Sequence, residues 1–286
     1  MTQKQISQSS REKRMLDELF EKKSKVKYSF NYVSSSHATA EPALGTIEMD
    51  VSGRFGRWKS EQFRAEKLAM LCASLSEIDT VLDVGGGNLL ASSFFANKGF
   101  TVDISDFGSS PYLTPDALDN AGINEFHDGD FNVVSFPKKY DLVWASHVLE
   151  HQKNVHVFLE KLVSLVSEGG YLAIAVPPRK PFIVSGHINL FNPGLLLYRT
   201  ILCGVDCSEA KIFQYDGNIC LLVKVKSIEL PRLNYDIGDI ELLSSFFPNE
   251  PSDGFNGDFM FCNLTQIEIE MIYEGLSQSL LEVEVK

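Results

Sequence analysis

Two short stretches gather residue types that can do chemistry. In residues 80–100, TVLDVGGGNLLASSFFANKGF, three glycines (Gly85, Gly86, Gly87) follow a β-rich apolar run and precede a helical run carrying Leu90, Phe94 and Phe95. That order reads as strand, turn, helix. Residues without Cβ let backbone N–H groups come close to a ligand, so the turn implies a nucleotide-type small molecule at the carboxyl edge of a parallel sheet. Asp83 stands inside the apolar strand, where a carboxylate is costly unless it meets donors: a ligand ammonium, loop N–H groups or water. The second stretch, YDLVWASHVLEHQKN, places His147, Glu150 and His151 in HxxEH spacing. Histidine can take a proton from a hydroxyl near neutral pH. On a helix this spacing marks zinc proteases, but here it follows a strand and no third ligand is evident in the sequence. No metal is therefore assigned, and Glu150 and His151 retain the alternative of simply hydrogen-bonding within their loop.

Other ligands fit the glycine turn less well. A phosphate-cradling loop needs GxxxxGK[ST], which is absent. A dinucleotide turn prefers GxGxxG, and here Leu90 takes the last position.

The elements that position these residues alternate. Periodicity predicts a helix over 58–76, a strand over 80–84, a helix over 89–98 and a strand over 100–104. A weak helix follows near 116–121, then strands over 123–127 and 140–145, a helix over 155–166 and a strand over 171–176. Alternating strands and helices imply an α/β, Rossmann-like, doubly wound and mostly parallel sheet. After Pro177-Pro178 a helix over 192–203 stops at Gly204. Runs over 210–215 and 219–225 flank Asp216-Gly217, a strong hairpin signal, so the sheet is expected to end in an antiparallel pair. Gly169-Gly170 reads as a turn before the fifth strand. The expected division is an N-terminal helix and irregular arm over 1–57, a central domain over 58–226 and an acidic, Phe-rich C-terminal appendage over 227–286 with a helix near 266–279. In the arm, Ser9 and Glu12 have capping-box spacing, and Met15, Leu16, Leu19 and Phe20 share one helical face. That face suits docking on its own domain or on a partner subunit, so a homo-oligomer is compatible with it.

Composition narrows the function. The chain has 286 residues and a net charge of -12, and its first 28 residues carry eight Lys/Arg against four Asp/Glu. An acidic chain is poorly suited to neutralising phosphates, which excludes nucleic acid as the expected partner. No run approaches the roughly 20 apolar residues of a membrane helix. Five scattered cysteines without a CxxC pair fit a reduced, cytoplasmic setting.

Val81-Leu82-Asp83-Val84-Gly85-Gly86-Gly87 matches the pattern VLDxGxG, and on these residues the chain resembles the class I S-adenosylmethionine-dependent methyltransferases. YDLVWASHVLEHQKN and FLEKLVSLVSEGGYLAIAVPP look like the branch of that family with VLEH after the fourth strand, whose relatives methylate quinone precursors, bacterial glycan sugars and acyl chains. The resemblance covers residues 58–225 and implies S-adenosyl-L-methionine as cofactor. Asp83, Gly85 and Gly87 would surround its methionine part. An acid beyond the second strand would hold the ribose hydroxyls: Asp106, with Asp103 as runner-up. Asp130 would take the adenine amino group, with Phe131 beside the ring, and Ser146 and His147 complete the cofactor set. The implied reaction is O-methylation of a small-molecule acceptor such as a sugar or glycan precursor. His151 is the first candidate base, His187 in GHINLFNP the second, and Glu150 their acidic companion. Some relatives recruit a divalent cation through this Glu. The departures from the family pattern are Leu89, where a third glycine is usual, and Glu168 in place of a proline. The Leu89 side chain is expected to narrow the approach to the cofactor. Phe94, Phe95 and Phe158 are expected in the core, Trp144 there or beside a ligand, and His127 and His156 outside the site.

Overall fold

The computed structural model describes residues 28–30, 45–47, 63–113, 118, 121–180 and 182–273. The expected N-terminal helix, Trp58, His37 and most of the weak helix near 116–121 lie outside these residues. The chain divides into two units, Met1–Glu61 and Gln62–Lys286. In the first, β1 (Tyr28–Phe30) pairs antiparallel with β2 (Gly45–Ile47), so the arm read as irregular contains a small ribbon.

The second unit is built on an eight-stranded sheet. Helix α1 (Glu66–Ala73) leads to β3 (Thr80–Val84), α2 (Leu90–Asn97) and β4 (Thr101–Asp106). Then follow β5 (Glu125–Asp128), β6 (Tyr140–Ser146), α3 (Val155–Ser164) and β7 (Val166–Val176). Helix α4 (Pro193–Leu202) precedes the hairpin β8 (Lys211–Tyr215) and β9 (Asn218–Lys224), and α5 (Asp239–Leu243), β10 (Phe261–Cys262) and α6 (Gln266–Ile272) close the described chain. The strand order is β10-β8-β9-β7-β6-β3-β4-β5. Strands β5, β4, β3, β6 and β7 run parallel, and β9, β8 and β10 join antiparallel. The Rossmann-like expectation and its antiparallel end are both observed. Because β3 lies between β4 and β6, the order reverses there, and ligands of such sheets bind in the crevice at this switch point, outside the carboxyl ends of the strands.

The local chemistry accounts for most boundaries. The Asn154 and Asn192 side chains cap α3 and α4 by accepting from Val157 N and Leu195 N. Asp216 and Gly217 both have positive φ (46° and 73°), as a two-residue turn between twisted strands requires. Two features differ from expectation. Strand β7 begins at Val166 and runs through Gly169-Gly170, with its pairing to β6 irregular there. The glycines are thus a distortion within a strand rather than a turn before one: Gly169 has φ 71°, and a Cβ on Gly170 would stand 2.9 Å from Asp141 O. The edge strand β10 was not foreseen, because two residues carry no readable alternation.

Both faces of the central strands are covered. Leu82, Val143, Leu172, Ile174 and Leu221 are fully buried with Phe158 and Phe191. Trp144 packs edge-on to Phe95 and belongs to this interior rather than to the crevice. All five cysteines are unpaired. Among the described residues no helix is long and apolar enough to cross a membrane.

Candidate functional site

The glycine turn leaves β3 at the crevice, and its three glycines have three different reasons. Gly85 has φ 78°, and a Cβ there would fall 2.4 Å from Val148 Cγ2, so the loop after β6 packs directly on it. A Cβ on Gly86 would meet Ile104 and Leu89 at 2.7 and 3.1 Å, which makes this glycine face the core. Gly87, φ 54°, would meet only Gly85 O at 3.8 Å, so it alone leaves room above the turn. Leu89 holds a left-handed conformation (φ 62°) at the start of α2, where a third glycine would be unstrained. Its side chain is 1% exposed and joins Ile104 and Ala121 in a small apolar cluster. The expectation that Leu89 narrows the crevice is therefore corrected: the side chain fills the space beneath the turn.

Two carboxylates flank the turn. Asp83 is 2% exposed and accepts from Ser92 Oγ. Burial pushes its carboxyl up to about 7, with the Ser92 hydroxyl opposing and the nearby Asp106 charge adding. Asp106, at the end of β4, is turned toward the turn: Gly87 N donates to Oδ2 at 2.8 Å and Phe107 N to Oδ1 at 2.7 Å. A carboxylate offers about four lone-pair directions, so two remain for a ligand's hydroxyls. The runner-up, Asp103, is committed elsewhere. It is fully buried and accepts from Tyr140 Oη and Asn124 Nδ2, while Lys138 Nζ pairs with it at 2.7 Å. These hydrogen bonds and the Lys138 charge outweigh its burial and hold its carboxyl below the usual range. The exposed Asp130 accepts from N and Nδ2 of Asn132. Phe131, expected beside a ligand ring, is only 6% exposed, packed against Phe136 and Phe158 with Lys161 Nζ 5.0 Å from its centroid.

The HVLEH segment leaves β6 on the other side of the crevice. Ser146 is the last residue of β6, paired with Ala175 of β7. His147 takes φ 56°, a strained geometry for a residue with Cβ. Asn218 Nδ2 donates to Tyr215 O and Asp216 O, which fixes Oδ1 as the acceptor facing His147 Nε2 at 2.8 Å. His147 thus carries its proton on Nε2, and its Nδ1 accepts from Arg64 Nη1 at 3.1 Å. Arg64 and Asn218 were not singled out from the sequence, because residues so far away acquire a role only through the fold.

A one-turn 3-10 helix, Leu149–His151, then buries Glu150 completely. The backbone oxygen of Glu150 accepts from Ile188 N and Asn189 N at 2.9 and 3.1 Å, and Asn189 Nδ2 donates to Gln152 O at 2.7 Å. These bonds latch the loop carrying His187 onto the turn carrying His151. The two imidazoles meet edge-to-face, centroids 4.9 Å apart. His151 Nδ1 stands 2.9 Å from Gly186 O, an acceptor only, so Nδ1 carries a proton, and Nε2 faces the cluster, 3.8 Å from Glu150 Oε1. Partial burial lowers the His187 pKa; the Glu150 charge opposes this, while His151, Lys180 and His147 add to it. The structure brings the donor atoms of Glu150, His151 and His187 within 4.8 Å of one another. His156 pairs with Glu160 on the surface, and His127 packs on Phe136, both outside the site.

A family model described as a methyltransferase domain matches residues 54–197, just over half of the chain. Solved structures similar to it include an O-methyltransferase family protein from Burkholderia thailandensis, at 15% identity over 58% of this chain and 57% of that one, TM-score 0.46. Another is the 1,6-didemethyltoxoflavin-N1-methyltransferase of the same organism with S-adenosylhomocysteine, at 17% identity over 58% and 78%, TM-score 0.48. Human N-acetylserotonin methyltransferase with S-adenosylmethionine shares 17% identity over 57% and 52%, TM-score 0.46. The chain thus spans only a little over half the length of the first and third of these. No curated protein matches it.

Proposed function

Because the chain belongs to the methyltransferase-domain family, whose methyl donor is S-adenosylmethionine, we propose that it methylates a hydroxyl oxygen of a small molecule. A sugar or glycan precursor is the first acceptor class to test. The observation that carries the reading is Asp106, held by Gly87 N–H at the crevice edge with acceptor capacity to spare for vicinal ribose hydroxyls. In this reading Gly87 leaves room for the cofactor's methionine part, Asp83 lies beneath it, and Asp130 reaches the adenine amino group. When bound, the cofactor supplies a sulfonium methyl that an oxygen can attack in line.

The chain's own work is to position the acceptor and take up its proton. The Nε2 lone pair of His151 is the first acceptor for that proton, with His187 second, and Glu150 stabilises the imidazolium that results. Arg64 and Asn218 position His147 on the cofactor side.

A second reading of the acceptor has its own support. Phe182, Ile183, Ile188 and Leu190 around His187 are 53–95% exposed, which suits an acceptor with an apolar portion, such as a quinone precursor or acyl chain. Mass spectrometry after incubating the full chain with S-adenosylmethionine and a panel of sugars, phenols and hydroxyacyl compounds tests both. A gain of one methyl on a hydroxylated acceptor supports the proposal, and the class modified decides between the acceptors. Cofactor binding with no transfer across the panel would favour a non-catalytic cofactor-binding protein.

A further inference from the structure

We propose that the loop between β7 and α4 is a membrane-surface anchor that seats the acceptor end of the crevice on an anionic lipid bilayer. The inference rests on the methyltransferase reading and deepens it, by making the acceptor a hydroxylated molecule carried in that bilayer.

The loop holds its apolar side chains outward. Phe182, Ile183, Ile188 and Leu190 are 62, 95, 61 and 53% exposed. The backbone that carries them is pinned. Its base is closed by the bridge between Pro178 and Phe191, and by Arg179 N donating to Phe191 O at 3.0 Å. Further along, His187 N donates to Val184 O, and Ile188 N and Asn189 N donate to Glu150 O. Four such side chains on one short, pinned loop mark an interaction site rather than scattered surface residues.

Charge selects the occupant. The chain carries 38 Asp/Glu and a net charge of -12, yet residues 169–205 contain no Asp or Glu. Within this acid-free stretch the exposed Arg179 and Lys180 stand beside the apolar tip, with Lys180 Nζ 5.8 Å from the Phe182 ring centroid. Glu150, the carboxylate to which the loop is latched, is fully buried. A cationic, aromatic-tipped protrusion complements an anionic surface, and repulsion of the acidic remainder turns the loop toward it. The side chains project from a loop instead of lining a groove. A bilayer interface takes up such a tip without a shaped pocket, while Arg and Lys stay at the headgroups, so lipid is favoured over an acidic protein. The same loop holds His187 against His151, so docking brings both candidate bases to the lipid–water boundary. An internal contrast is available in Tyr235 and Ile237, which are 83% and 87% exposed but flank Asp236. No Lys or Arg occurs from residue 233 to 285, so this second apolar pair has no neighbouring cations in sequence to meet an anionic surface.

The test sediments the full chain with phosphatidylcholine vesicles, with and without phosphatidylglycerol, at low and high salt. The expected result is binding that requires phosphatidylglycerol and weakens with salt. Affinity should fall at least about tenfold in Phe182→Ser/Ile183→Ser and in Arg179→Ser/Lys180→Ser, and stay within about twofold in Tyr235→Ser/Ile237→Ser. Thermal melts confirm that each variant is folded. No binding to the anionic vesicles, equal binding to neutral ones, or an equal loss in the Tyr235/Ile237 variant overturns the proposal. So does a dimer of the unmodified chain that Phe182→Ser/Ile183→Ser dissociates while no vesicle binds, which would make the loop a protein interface. A parallel titration with S-adenosylhomocysteine separates the two readings: cofactor binding without vesicle binding would sink the anchor alone, and vesicle binding without cofactor binding would sink the methyltransferase reading.

Discussion

Replacing Leu89 by glycine separates packing from access at the cofactor turn. The residue is 1% exposed against Ile104 and Ala121, and large-to-small changes at such positions cost about 2–5 kcal/mol. Its φ of 62° acts in the opposite direction, because a left-handed residue with a Cβ is strained by about 1–2 kcal/mol, which glycine relieves. Packing wins, and the expected net loss is about 2 kcal/mol. For a unit of this size that lowers Tm by about 4–8 °C, read by differential scanning calorimetry. Affinity for S-adenosylhomocysteine, measured on the same samples below the transition, should change less than threefold, since the side chain lies beneath the turn. A variant that melts no lower and binds the cofactor tenfold tighter would show that Leu89 obstructs the crevice and that its burial has been misread.

Asp106→Ala removes two remaining acceptor positions, each worth about 1.5–3 kcal/mol toward a hydroxyl, so calorimetry should show cofactor affinity falling by at least about 100-fold. Asp103→Ala should instead chiefly destabilise the fold, by leaving Tyr140 and Lys138 unpartnered, as a urea titration would show. His151→Ala should leave cofactor affinity within threefold and slow transfer by about 100-fold or more in a single-turnover assay. Asp83, pushed up to about 7, keeps its proton in the folded chain between about pH 4 and pH 7, where the unfolded chain has released it. The folded state binds more protons in that window, so this group's contribution to stability is lost as pH rises from 4 to 7, by up to about 4 kcal/mol, and is flat above. Urea titrations of the unmodified chain and Asp83→Asn at pH 5, 6 and 7.5 should differ by this slope.

The strands that carry the site were legible because each pairs a β-rich apolar run with a turn signal. Strand β3 was read at its observed limits, and β4 two residues short of Asp106. The Asp-Gly turn announced the antiparallel end. What the sequence hid depends on long-range packing. Nothing local says that Gly85 is a glycine because Val148 lies on it, or that Leu89 turns inward. Arg64 and Asn218 reach His147 from opposite ends of the unit, and Phe131 is placed in the core by Phe136 and Phe158, not by its own motif. The Glu150 cluster was half legible: HVLEH supplied two members and GHINLFNP the third, but only the latch through Asn189 brings them within reach.

A sulfonium nucleoside is expected at the carboxyl ends of β3 and β4, beside Gly87 and Asp106. Isothermal titration of the full chain with S-adenosylhomocysteine, with nicotinamide adenine dinucleotide as the competing ligand, tests it most directly. One site of micromolar Kd for S-adenosylhomocysteine, lost in Asp106→Ala and absent for the dinucleotide, is the expected result. Dinucleotide binding without measurable affinity for S-adenosylhomocysteine would contradict it.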